Sequence, residues 1–493
     1  MKLYRRRKIN LILSLLLSFI IYSSNAQTNP GLSFGGSFDD KGLAMCLSGD
    51  GGYMLAGSTR SFGEGSEDYF VIKLSAHWQH IWSETYGGVH QDHPRSIIPT
   101  DEGFIIFGDV WDFGDARLGM YLSLIDTTGN KLWGIHYGTQ VDDWGFKVIE
   151  ALNGDFMLLG YTRGFEISGD IYLFRTDHQG NVLWENTYGY NRDDYGMDII
   201  ENDDGSFTII GSKNGFFNDV HTNYTVHDAD ILLVKIDADG NELWKKTIGD
   251  TGHDFGYSIK KAPAGGNYIF GSSQSYGAGS FDMFLAKTDG EGNEEWHKTY
   301  GGALYDYGLS MDINENGNLF LLGTTRSFGQ NNSEDFYLVK VDEQGNNIWD
   351  LTIGGELADF GNSVIAMPDS GCVVMGSSKS FSSGGYDILF IKIDKFGQIE
   401  NITVEINNGY ENQVVIAPNP MHNTGRVQLA DNNSNVSMIM EINSINGSVL
   451  KKYKLDYYNS SFDVSGLPAG VYIYNINYIN STSPAYRGKL IVY

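Results

Sequence analysis

Asp230–Gly249 reads DILLVKIDADGNELWKKTIG, and it decides the fold because versions of it return along most of the chain. The run Ile231–Ile236 is apolar and rich in branched residues, which suits a strand packed on both faces. It is stopped by Asp237-Ala238-Asp239-Gly240-Asn241, where Asp bonds its own backbone and Gly or Asn supplies positive φ. A second strand carrying Trp244 then ends at Gly249. The stretch is one hairpin of a larger repeat.

The glycine closing the last strand of each unit recurs at Gly35, Gly87, Gly138, Gly189, Gly249, Gly301 and Gly354, at intervals of 52, 51, 51, 60, 52 and 53 residues. A period near 50 with four strand-like segments per unit is the signature of a β-propeller. In the fifth unit those segments are Tyr257–Ala262, Asn267–Ser272, Asp282–Thr288 and Glu294–Tyr300. The expected fold is therefore all-β: a seven-bladed β-propeller of four-stranded blades, followed by a small C-terminal β-sandwich.

Four positions recur, and each has a structural reading. An Asp stands five residues after the anchor glycine, at Asp40, Asp92, Asp143, Asp194, Asp254, Asp306 and Asp359. It is expected in the loop entering the inner strand, accepting backbone hydrogen bonds as an Asx-turn. An aromatic follows the second strand at Phe62, Phe113, Phe165, Phe216, Tyr276, Phe328 and Phe381. A second Asp opens the third strand at Asp68, Asp170, Asp230, Asp282, Asp335 and Asp387, with Gly119 the exception. The outer strand carries Trp82, Trp133, Trp184, Trp244, Trp296 and Trp349.

The pattern basic-x-Asp-x-x-Gly-Asn-x-x-Trp, as in Lys235, Asp237, Gly240, Asn241 and Trp244, resembles the tryptophan-docking repeat of quinoprotein-type propellers. The resemblance implies a Trp packed between neighbouring blades. This chain is one residue shorter between Asp and Gly, so a quinone cofactor is not inferred from it. The two Asp rows are similar to the buried polar contacts of WD-type blades, without their Trp-Asp dipeptide or His. In the seventh unit Asn401 holds the Trp position, while Pro30–Gly35 matches only the end of an outer strand. Either segment could complete that blade. The N-terminal one is expected to pair there, because an unclosed ring leaves exposed edges.

The flanks read differently. Lys2, Arg5, Arg6, Arg7 and Lys8 precede an apolar segment from Ile9 to Tyr22, and Ser24-Asn25-Ala26 offers small residues for cleavage, which reads as a signal peptide over residues 1–26. Losing those five cations and no acids takes the net charge from -27 to -32. Such a charge speaks against nucleic acid and bare anionic lipid as partners. No other segment is apolar enough to span a membrane, so no transmembrane segment is expected in the mature chain. Cys46 and Cys372 fall in the first and last repeats and read as two separately buried thiols, with a bridge between them as the alternative.

The propeller is expected over residues 27–405 and a linker over 406–413. Residues 414–493 have another grammar: Pro418-Asn419-Pro420, then Leu467-Pro468-Ala469-Gly470-Val471-Tyr472, then a terminal strand with Lys489. This tail is similar to the type A C-terminal sorting domain of the type IX secretion system of Bacteroidetes. The resemblance implies engagement of the type IX machinery, outer-membrane export, and removal of the tail with release or attachment to surface lipopolysaccharide. A secreted or outer-surface location follows from it.

No nucleophile elbow, phosphate loop, HExxH or paired CxxC occurs. Residues repeated in every unit read as scaffold, so ligand candidates are the unrepeated ones. The fourth unit has a long loop, Ser212 to Ala229, holding His221, Tyr224 and His227. His90, His93, Arg95, Trp111, Trp144, Arg192 and His253 are expected near the same face, with rings for sugars and Arg for carboxylates. No catalytic residue, metal ligand or cofactor is assigned. The Asp-x-x-Gly-Asn turns offer oxygens to calcium at a sparser spacing than a dedicated loop. The favoured function is a secreted or cell-surface binding protein for a glycan, extracellular polymer or protein. The alternative is an extracellular carbohydrate-active enzyme, a lyase or glycosidase, on the same scaffold.

Overall fold

The computed structural model describes residues 30–111, 117–164, 169–214, 229–382, 384–400, 414–417, 424–429, 438–444, 448–455, 461–468, 470–478 and 486–492. The expected leader, the long loop of the fourth unit from 215 to 228, Asn401 and the linker lie outside them. The chain is all-β. Seven four-stranded antiparallel sheets follow one another, and the tail adds two further sheets.

In the fifth sheet the strands are Asp254–Lys261, Asn267–Ser273, Asp282–Thr288 and Glu294–Tyr300. The first strand begins three residues before the expected Tyr257, because Asp254 itself pairs with Ser273. The second and third strands are buried along nearly their whole length, and the fourth is exposed or half-buried up to Tyr300. That gradient explains why the middle strands read as unbroken apolar runs.

Each sheet is too apolar to stand alone, and the core lies between sheets. One cluster joins Leu159 and Leu173 of the third sheet to Ile209 and Leu232 of the fourth. Equivalent clusters join every consecutive pair, and Leu55 and Ile72 of the first sheet pack with Met375 and Phe390 of the seventh. The repeated tryptophans lie in these seams. The Trp82 indole N–H donates to the carbonyl of Thr127 in the next sheet's turn at 3.1 Å, and its ring lies over Gly129. Trp349 repeats the contact with Lys395 and Gly397.

The seventh sheet is completed by both candidate segments. Leu32–Phe34 pairs with Ile388–Phe390. Farther along the same edge, Ile399 bridges Ile393, and the Glu400 N–H donates to the Lys392 carbonyl at 2.9 Å. The N-terminal segment thus covers one half of the edge and the chain's own hairpin the other.

Cys46 and Cys372 are both buried free thiols, each in an apolar cluster of its own. Burial pushes the Cys46 thiol up to about 12. In the tail, Phe462 and Val464 pack with Met440, Ile442, Ile476 and Leu490, so one core holds side chains from both tail sheets.

Candidate functional site

The repeated aspartates are bonded into the scaffold, and their geometry differs from a simple Asx-turn. Asp306 accepts from the Gly302 N–H at 2.7 Å, four residues back, and from the hydroxyls of Ser327, at 2.6 Å, and Thr325 at the end of the second strand. Asp40, Asp254 and Asp359 do the same with Ser61, Ser275 and Ser378. Asp92, Asp143 and Asp194 likewise accept from the backbone four residues before them, at Gly88, Thr139 and Tyr190. Each carboxylate therefore ties the loop entering the first strand to the loop leaving the second.

The backbone N–H of the same Asp crosses to the preceding sheet. Asp92 donates to Glu67, Asp143 to Leu118, Asp194 to Gly169, Asp254 to Ala229, Asp306 to Phe281, Asp359 to Glu334 and Asp40 to Tyr386, at 2.6 to 3.1 Å. These bonds place three variable columns side by side at every seam: the acceptor residue, the residue after the Asp, and its partner on the second strand. Their chemistry changes from seam to seam.

Between the first and second sheets the columns hold ions. His93 Nδ1 lies 2.8 Å from Asp109 and its Nε2 lies 3.6 Å from Glu67. The Arg95 guanidinium donates to Asp109 at 3.0 Å, and Arg60 and Ser58 donate to Glu67 at 3.0 and 2.5 Å. Burial opposes charge on His93, but the two carboxylates outweigh it and raise the imidazole to about 9. Burial likewise opposes charge on Glu67, and the His93 and Ser58 contacts overcome it to hold the carboxyl at about 2. An imidazole held as a cation between two carboxylates makes a poor general base near neutral pH.

Elsewhere the columns hold rings. Tyr161 stacks on Tyr195 at 4.2 Å with Trp144 beside it at 5.4 Å, and the Tyr161 hydroxyl bonds Asp193 and Arg163. A string of rings runs along the fifth sheet and crosses the seam to the sixth: His253 on Phe255, Phe255 on Phe281 at 5.8 Å, and Phe281 on Tyr307 at 5.2 Å. Tyr305 flanks the last pair and is 41% exposed. Phe360 meets Tyr386 at 5.8 Å, with Lys379 over the latter.

The loops beside these columns bear exposed apolar residues in an unbroken order. Leu304, Leu357, Phe38, Val89 and Val141 lie in the five consecutive connections from the fifth sheet round to the third, and all are exposed. Arg192 and Gly252 take that place in the remaining two.

Of the sequence candidates, His93, Arg95, Trp144 and His253 are engaged within this end of the sheets. Trp111 is exposed and its backbone N–H donates to the Gln91 carbonyl, while the His90 carbonyl accepts from the Glu67 backbone N–H. Arg192 is exposed. His221, Tyr224 and His227 lie outside the described residues. The sequence reading missed Phe255, Phe281, Tyr305, Tyr307, Phe360 and Tyr386. The signal was the column after the repeated Asp, which runs Lys41, His93, Trp144, Tyr195, Phe255, Tyr307, Phe360.

The Asp-x-x-Gly-Asn turn is closed on itself. Asp237 accepts from the N–H groups of Asp239 and Asn241 and from the Asn241 amide, all at 2.9 Å. Among the described residues no group of three or more His, Cys, Asp or Glu is arranged to hold a metal ion.

In the tail, Leu467 packs against the core, the Tyr472 hydroxyl donates to the Pro468 carbonyl at 2.5 Å, and Gly470 and Lys489 sit in paired strands. Pro418, Asn419, Pro420 and Ala469 lie outside the described residues. Residues 415–492 match the family described as a secretion system C-terminal sorting domain. The tail is therefore a type IX sorting domain, and it directs export to the cell surface or beyond. No helix among the described residues is long and apolar enough to cross a membrane.

The regulatory protein FlaEY of Caulobacter vibrioides is 26% identical over 113 residues, 20% of this chain and 12% of that protein. Among solved structures, puromycin hydrolase is similar at 10% identity over 91% of this chain and 59% of that one, with a TM-score of 0.47. The extracellular domain of BT4673 from B. thetaiotaomicron is similar at 12% identity over 94% of this chain and 58% of that one, with a TM-score of 0.39. The chain thus spans less than two thirds of each.

Proposed function

We propose that the seven sheets form a closed seven-bladed propeller over residues 27–405, secreted or displayed at the surface, which binds an extracellular glycan through the end bearing the variable columns. The sorting domain supplies the route, and a leader over residues 1–26 would begin it. Closure is supported by the bond from Asp40 to Tyr386, which joins the first sheet to the seventh as each other pair is joined.

The observation that carries the binding reading is the division of labour. Repeated residues are bonded into seams, while unrepeated rings and exposed apolar residues gather at one end. Rings with open faces, such as Tyr305 and Trp111, suit sugar rings, and ligand specificity commonly enters through such loops. The enzyme alternative has less support. Among the described residues, His93 is the His paired with two carboxylates, which favour its cationic form, and the repeated carboxylates are buried in the scaffold.

A glycan array probed with the chain, followed by a turnover assay on each hit, tests this. Binding without turnover is the expected result. Turnover of a bound glycan would restore the enzyme reading, and an array with no hit would overturn the glycan one.

A further inference from the structure

The seam between the fifth and sixth sheets brings two buried carboxylates face to face. Asp282 opens the third strand of one sheet and Asp306 the first strand of the next, and they are 1% and 0% exposed. A β-carbon on Gly301 would stand 1.9 Å from Oδ1 of Asp282 and 2.7 Å from Oδ2 of Asp306. The two oxygens converge on a space that only glycine leaves empty, which accounts for the anchor glycine itself.

Their other contacts are donors. Oδ2 of Asp282 accepts from the Ala278 N–H at 2.5 Å, and Asp306 accepts from Gly302, Thr325 and Ser327. Oδ1 of Asp282 is buried with no hydrogen-bond partner. Two ionised carboxylates so placed repel each other with little water to screen them, and one proton turns the repulsion into a hydrogen bond. A metal ion would need further oxygen ligands where N–H and O–H groups stand. A proton needs none.

The arrangement recurs. Asp387 and Asp40 meet at Gly35, Asp68 and Asp92 at Gly87, Asp170 and Asp194 at Gly189, and Asp230 and Asp254 at Gly249. The seam between the second and third sheets departs from it, because Gly119 replaces the second Asp and Gly138 meets Asp143 alone.

We propose that Asp282 and Asp306 share one proton, donated from Oδ1 of Asp282 to Oδ2 of Asp306, and that mild acid thereby tightens the seams between sheets. The groups facing Asp282 fit this. Burial first, then the Asp306 charge, push its carboxyl up to about 6, and Tyr337 of the sixth sheet faces the pair as a neutral phenol. At the next seam Asp335, facing Asp359 and Glu334, is likewise raised to about 6, chiefly by burial. The sign follows from a proton held more tightly folded than unfolded. The stabilisation is complete below the ordinary 3.8 and is lost as pH rises through about 6.

The test is the melting midpoint of the full chain between about pH 5 and about pH 7.5. The wild-type midpoint should fall across that window. Asp282→Asn, whose amide N–H donates where the proton did, should raise the midpoint at the upper end by about 2 °C and flatten the slope. A variant curve parallel to wild type overturns the proposal. Should the variant not fold, carboxyl-carbon NMR titration of the wild type decides: an Asp titrating near pH 6 supports it, and none above about pH 5 overturns it. Calcium chloride that raises the wild-type midpoint as acid does, and not the variant's, overturns the proton in favour of an ion.

Discussion

The seam between the first and second sheets and the seam between the fifth and sixth share one backbone and differ in chemistry. Asp92 donates to Glu67 and Asp306 to Phe281, both at 2.8 Å. The residues after the Asp are His93 and Tyr307, and their partners on the second strand are Asp109 and Thr324. One set makes an ionic bracket and the other a stack of rings. The difference teaches that the seam bond needs only a backbone acceptor, so the side chains around it were left open to vary. Function in this fold can therefore change without disturbing the joints.

Removing the carboxylate at one seam and its counterpart at the other should separate the two most strongly. Asp109→Ala leaves the His93 and Arg95 cations in a buried bracket without their acceptor, and should cost about 3 kcal/mol by urea denaturation. Thr324→Ala, at the same place among rings, should cost about 1 kcal/mol or less. Equal losses would mean that the bracket contributes nothing through its charges.

A smaller contrast lies in alkaline pH. His93 is raised above its ordinary 6.5 to about 9, so its contribution is complete below 6.5 and is lost as pH rises through about 9. Wild-type stability should therefore decline over that interval by on the order of 2 kcal/mol. In His93→Gln the decline should be much reduced. In the ring seam the counterpart of His93 is Tyr307, which burial raises to about 12, above that window.

Much of the fold was legible because the seams impose themselves on sequence. Anchor glycines face carboxylates, Trp82 and its repeats cover the next turn, and the doubly buried strands carry no alternation. What was illegible follows from the same physics. The first strand begins at the Asp because its carboxylate and its N–H serve two different loops, which a local turn reading cannot anticipate. The N-terminal pairing with the seventh sheet was expected from the need to close an exposed edge, but the sharing of that edge between Leu32–Phe34 and Ile399 was not, because the sequence offered the two segments as alternatives with nothing local to divide the edge between them. His93 was visible as an unrepeated residue, but its engagement with Asp109 was not, because that Asp reads as one more acid among many. The ring string was hidden in a column that looked like ordinary apolar filling, and only the alignment of units brings Phe255, Tyr307 and Phe360 together.

The smallest effect on stability should accompany the largest on recognition. Tyr305 flanks Phe281 and Tyr307 but is itself 41% exposed, so Tyr305→Ser removes little buried area and should change the unfolding free energy by about 0.5 kcal/mol or less. If the ring seam is the face that meets ligand, the same change should weaken a glycan found on the array about tenfold or more. Asp109→Asn, in the ionic seam, serves as the contrast, since it perturbs the bracket while leaving the ring string untouched. Loss of binding in Tyr305→Ser with retention in Asp109→Asn would place recognition on the rings. The reverse pattern would move it to the bracket, where the charge on His93 and Arg95 rather than aromatic surface would select the ligand.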